Sequence, residues 1–303
     1  MSDLLKGLTS GGWGGFFAWI APIVIVLSGF WWTVYLQLSH PPFYSTLGYL
    51  SASETCILLL VIATSLGVVA SACSMPLYRI LEGYLLWPSK LADRRAKRHC
   101  ALKQTLQQKI DQTADGWQRN LYQEKLLRYP FEESQIIPTR FGNAIRAFET
   151  YGSTRFGLDS GTLWSELIAA VPESLQKDID TSRAIVDFFV CGFFSLIVFA
   201  VAAVAIGIFD GTYIYPISFA FVCLIGAAGS YEMAISSCSY WGATNRALIN
   251  SGRYPLAKAL GLKLPATLAE EMDMWKNVTS YVYYRDYPSG DAFNRYRNVE
   301  KPE

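Results

Sequence analysis

Four stretches of the chain contain no Asp, Glu, Lys or Arg and are long enough to cross a bilayer: residues 7–53, with an apolar part at about 16–36, then 55–78, 188–209 and 211–231. A spanning helix needs about 20 apolar residues. Inside hydrocarbon each backbone N–H and C=O must be satisfied, and a single span manages this only as a helix. The expected fold class is an all-α integral membrane protein. It has four transmembrane helices, paired as hairpins at 16–78 and 188–235 (the last span being about 213–235), and an α-helical cytoplasmic domain built from helix extensions. The first span is too long for a signal peptide, has a nearly uncharged flank and is followed by no small-residue cleavage site.

The basic residues orient these spans. Of 26 Lys and Arg, 16 lie between the second and third spans, nine follow the fourth, and one is Lys6. The short connections 39–53 and 210–213 carry none. Lys and Arg are retained on the cytoplasmic side. The short connections are therefore expected to face outward, and residues 1–15, 79–187 and 236–303 to face the cytoplasm. The expected setting is a multi-pass protein of a bacterial inner membrane with both termini cytoplasmic. Trp31, Trp32 and Tyr35, Phe43 and Tyr49 in the outer loop, and Tyr213, Tyr215 and Trp241 at the ends of the fourth span fit interfacial belts, where a ring is buried and its polar edge stays wet.

Periodicity predicts the helices outside the spans. Tyr78, Leu81, Leu85 and Leu86 share one helical face beyond the second span. The run KLADRRAKR at 90–98 suits anionic headgroups, although a solvated flank has the same composition. Leu102, Leu106, Ile110, Ala114, Trp117 and Leu121 recur at steps of four and three, as on one amphipathic helix. A helix is expected over 139–151 with Phe141, Ile145 and Phe148 inward, then a turn at 152–157. Asp159 or Ser160 is placed to cap a helix over about 161–170. Nothing breaks the pattern from Glu173 to Phe209, and the fourth span's helix runs on to about Ser251-Gly252. Thr267 with Glu270 forms a capping box for a helix presenting Leu268, Met272, Trp275, Thr279 and Val282. The stretch from Tyr287 reads as a loose polar tail.

Motif chemistry is sparse. A net charge of +1 predicts no nucleic-acid partner. Of the two histidines, His40 and His99, neither sits in a motif, and His99 and its neighbour Cys100 point to different sides of a helix. The six cysteines have neither metal-ligand nor disulfide-framework spacing and read as small buried residues. No nucleophile elbow, P-loop or H-E-x-x-H helix is present. No catalytic, cofactor-binding or metal residue is assigned, no cofactor is expected, and the chain reads as a non-enzyme.

The spans lack a mid-depth ionisable residue. Glu54, Asp187, Asp210 and Glu232 lie near span ends, which argues against an ion-coupled carrier. Glu232 is a candidate for a charge ring at an inner pore mouth, against an interface carboxylate partnered by Arg246 or a neighbouring helix. Thr64, Ser65 and Ser71 are candidates for lining a water path, against hydroxyls bonded to their own backbone. The most distinctive soluble stretch is residues 138–164, PTRFGNAIRAFETYGSTRFGLDSGTLW. There Arg140, Asn143, Arg146, Glu149, Arg155 and Asp159 interleave with aromatics. They form a candidate cytoplasmic binding surface built on Arg forks, or a helical pack stapled by Arg–Glu and Arg–Asp pairs. The stretch resembles a motif of uncharacterised bacterial membrane proteins, a resemblance that implies no activity.

Small residues at Gly67, Ala70 and Ser71, at Ala200, Ala203 and Gly207, and at 226–230 allow close helix contacts and self-association. The expected partners are the lipid bilayer, further copies of the chain in a homo-oligomer, and a cytoplasmic protein. The function expected is an oligomeric channel or membrane-perturbing effector gated by the cytoplasmic domain. The alternative is a non-enzymatic scaffold or sensor that recruits a cytoplasmic partner.

Overall fold

The computed structural model describes residues 14–38, 50–283 and 294–297. Lys6, His40, Phe43, Tyr49 and Tyr287 lie outside the described residues. Within them the chain is helical: α1 (Gly14–Thr33), α2 (Ala52–Ala72), α3 (Ser74–Glu82), α4 (Ser89–Gln112), α5 (Gly116–Leu126), α6 (Arg140–Glu149), α7 (Tyr151–Phe156), α8 (Trp164–Ala170), α9 (Glu173–Asp210), α10 (Ile214–Ala259) and α11 (Leu268–Tyr283). Four helical stretches are long and apolar enough to cross a membrane: Phe17–Gln37, Ala52–Ala72, Glu173–Asp210 and Ile214–Ala259. The chain divides into two compact units, Met1–Ile80 with Asp180–Ser237, and Leu81–Ile179 with Cys238–Glu303.

In the first unit α1 is the innermost helix. Half of its apolar window is buried, against 17% for α2. Gly67 lets α2 approach closely: a Cβ there would stand 2.6 Å from Ile20 Cγ1 and 3.1 Å from the Trp19 carbonyl. Leu59, Ala63 and Gly67, four apart, form the buried seam of α2. On another side Phe30 meets Phe199 of α9 and Phe219 of α10, with ring centroids 5.6 and 5.8 Å apart. Ala200 and Ala203 of α9 are buried, as are Ala220 and Cys223 of α10, so these four serve contacts within the unit. Two acidic residues near span ends have local roles. Glu54 closes a capping box with Ser51 at the start of α2. Asp187 is buried and accepts a hydrogen bond from the Tyr78 hydroxyl at 2.7 Å.

The second unit draws its core from segments distant in sequence. Leu158, Leu163 and Leu167 pack with Leu248, Ile249 and Leu256 of α10 and with Met274, Trp275 and Val278 of α11. Gly157 makes one of these approaches practicable. It has φ +73°, and a Cβ there would lie 2.4 Å from the Met272 carbonyl oxygen. Leu262 and Arg297 add an isolated antiparallel bridge.

Several expected elements are redrawn. The stripe from Leu102 to Leu121 is split between α4 and α5. Thr113 is extended, and Asp115 caps the new helix by accepting from the Trp117 N–H at 3.2 Å. The two helices pack on each other, with the Lys109 ammonium 5.5 Å from the Tyr122 ring centroid. Leu85 and Leu86 do not continue the face of Tyr78 and Leu81, because α3 ends at Glu82 and the backbone turns at Gly83 (φ +98°) and Leu86 (φ +62°). The expected turn at 152–157 is a short helix, α7, ended by Gly157. α10 continues through Pro255 to Ala259 rather than stopping at Gly252. On α11 the buried face is Glu271, Met274, Trp275 and Val278, while Leu268 and Val282 are exposed. Trp241 belongs to the second unit, where it packs on Phe148 at 4.9 Å between centroids.

Candidate functional site

The distinctive 138–164 stretch begins with a cap. Thr139 Oγ1 accepts from the Gly142 N–H at 2.9 Å, fixing the start of α6. The hydroxyl itself donates to the Glu82 carbonyl. One turn on, α6 turns Phe141, Ala144, Ile145 and Phe148 inward. Asn143 lies on this inner side, 1% exposed. Its amide nitrogen donates to the carbonyls of Ile137 (2.8 Å) and Thr139 (2.7 Å), and its amide oxygen accepts from the Ile137 N–H at 3.0 Å. Asn143 is therefore a staple for the chain entering α6.

The other members of the predicted surface separate in the same way. Asp159 accepts from the Gly161 N–H (3.0 Å) and from the Thr162 hydroxyl (2.8 Å), which caps the turn ahead of α8. Arg146 donates to Glu149 at 3.3 Å and to Gln135 at 2.9 Å, so Glu149 is engaged as well. Arg140 and Arg155 are exposed, and these two charges look outward. On α2, Ser65 is exposed and its hydroxyl donates to the Val61 carbonyl at 2.9 Å. Ser71 is exposed and Thr64 half-buried. Glu232 of α10 is exposed.

Two basic loci in the second unit draw together residues distant in sequence. The first surrounds His99, buried on α4. Its Nδ1 lies 3.1 Å from the Tyr129 hydroxyl, and the ring also bonds the Pro138 carbonyl. Burial holds the imidazole below its ordinary pKa, and the charges of Arg95, Arg140 and Arg98 lower it further, while the Pro138 bond opposes them. Burial also raises the Tyr129 phenol. Cys100, the next residue, turns to Glu133 at 3.4 Å. The exposed Arg95, Arg98 and Arg140 place positive charge around this buried histidine.

The second locus is a cavity of about 80 Å³ where the end of α5, α6 and α10 meet. Arg128 and Arg246 line it, with Phe148 and Ala147 as an apolar wall. Both arginines lie outside the 138–164 stretch, and they are 118 positions apart in sequence, so no local pattern pointed to them. Comparison with family models, curated proteins and solved structures finds no match to this chain.

Proposed function

We propose that this chain is a four-span membrane protein whose second unit is a cytoplasmic, all-helical control domain, and that several copies together form a channel or membrane-perturbing effector. The carrying observation is the condition of α2. Only 17% of its apolar window is buried by its own chain, and the hydroxyl-bearing Ser65 and Ser71 stand on its exposed surface. The described residues leave most of this helix uncovered, so in this reading neighbouring copies complete a water path lined by Thr64, Ser65 and Ser71. A serine that donates to its own helix still offers lone pairs to water, as Ser65 does.

Two further features support the reading. α9 and α10 have 38 and 46 residues, about 57 and 69 Å. A hydrocarbon core is about 30 Å thick, so each helix has length to spare as a rigid connection to a control domain. Gly229 has nothing within 4 Å of a built Cβ, and Ala228 beside it is exposed. Such small residues suit a close contact with another copy.

The test is to size detergent-solubilised protein and then measure ion leakage from liposomes. Assembly larger than a monomer is expected, with leakage that Thr64→Leu combined with Ser71→Leu abolishes without changing assembly size. A monomer without leakage would refute the channel and leave the second reading, a scaffold or sensor. That reading is favoured by the exposed Arg155, and would be tested by loss of partner capture in Arg155→Ala with its fold intact.

A further inference from the structure

We infer that the cavity between α5, α6 and α10 is a binding site for a phosphate-class oxyanion. Arg128 places one guanidinium nitrogen on Glu124 at 2.9 Å, while its Nε is buried and has no hydrogen-bond acceptor. Arg246, half-buried and also lining the cavity, makes no ion pair or hydrogen bond among the described residues. Among the residues lining the cavity, two guanidinium groups stand against one carboxylate, that of Glu124. A buried donor without an acceptor is costly, and a cation withdrawn from water is costly unless paired. A tetrahedral oxyanion answers both needs, because Arg forks match its geometry with charge-assisted hydrogen bonds. The cavity volume is several times the roughly 10–15 Å³ that one water requires. Ser239, also on the wall, supplies a hydroxyl donor. The apolar side formed by Phe148 and Ala147 lowers the local dielectric and strengthens these interactions.

The acceptor chemistry is that of a phosphate, whether free or carried on a lipid headgroup. The site stands apart from the pore reading: anion binding in detergent reports on the second unit, and leakage reports on assembly. The test uses the full chain in a neutral detergent, titrated calorimetrically with inorganic phosphate and, in parallel, with mixed micelles containing phosphatidic acid, against chloride at matched ionic strength. Saturable binding is expected. Arg246→Gln should weaken it roughly tenfold or more, as loss of a charge-assisted contact does, with circular dichroism and elution unchanged. Arg119→Gln, which removes a charge away from the cavity, should bind as wild type. Ala147→Leu fills the cavity while keeping both arginines, and should also abolish binding, which guards against a folding defect in the first variant. Binding of inorganic phosphate identifies a free anion as sufficient. Binding only to phosphatidic-acid micelles, still sensitive to Arg246→Gln, identifies a headgroup. Absence of saturable binding to either, or wild-type binding by both cavity variants, overturns the site.

Discussion

Replacing Asn143 with Ala separates packing from recognition, because its side chain holds backbone groups rather than facing solvent. The substitution removes the acceptor of the Ile137 N–H and the donor to the Ile137 carbonyl. Both groups have Asn143 as their partner, so both are orphaned. The Thr139 carbonyl fares better, since it keeps the α6 backbone bond from the Asn143 N–H at 3.1 Å. An unsatisfied buried polar group costs about 1–3 kcal/mol. Ile137 is only half-buried, so two orphaned groups at the lower part of that range give about 2–4 kcal/mol. For a unit of this size each kcal/mol moves the melting temperature by about 2–4 °C, and the expected fall is about 5–15 °C. The assay is thermal unfolding in detergent followed by tryptophan fluorescence, since Trp241 packs on the Phe148 end of α6. Asn143→Asp should be worse than Asn143→Ala at neutral pH, because it turns a carboxylate oxygen onto the carbonyls of Ile137 and Thr139. A melting temperature for Asn143→Ala within about 2 °C of wild type would refute the staple and return Asn143 to a surface role.

The folded His99 imidazole has a lowered pKa, so below about pH 6.5 the unfolded chain binds a proton that the folded chain resists. Stability should therefore fall as pH drops from 7 through 6.5 and below, and His99→Gln should flatten that dependence in unfolding measured across pH; an unchanged profile would contradict it. Glu271 is buried, pairs with Arg253 and accepts from Trp275 Nε1 at 3.1 Å, while the Arg253 guanidinium lies 3.7 Å from the Phe156 centroid. Glu271→Ala should cost about 3–5 kcal/mol by stranding a charge, and combining Arg253→Met with Glu271→Leu should cost less, as read by chemical unfolding. Gly67→Leu should disrupt the α1–α2 contact and lower thermal stability, overpacking typically costing about 1–3 kcal/mol. Gly229→Leu should leave the single chain folded and weaken assembly, seen as a smaller particle on sizing.

The helical class and the four apolar stretches were legible in sequence because they depend on composition and length, which are local quantities. The unbroken run from Glu173 was legible for the same reason: no proline, glycine pair or charge pattern interrupts it. The Thr139–Phe148 helix could be read from a cap and a period. The α4–α5 break was harder to read, because an apolar stripe continues across a turn that Asp115 and Thr113 impose. Asn143 and Asp159 looked like recognition residues because polar side chains among aromatics have the same appearance whether they face a ligand or backbone groups of their own chain. Only the tertiary structure distinguished these cases, by showing which donors and acceptors each one meets. It alone brought Arg128 and Arg246 to one cavity and His99 to Tyr129. Electrostatic and packing partners are set by distance in space, and a linear pattern records only the distance along the chain.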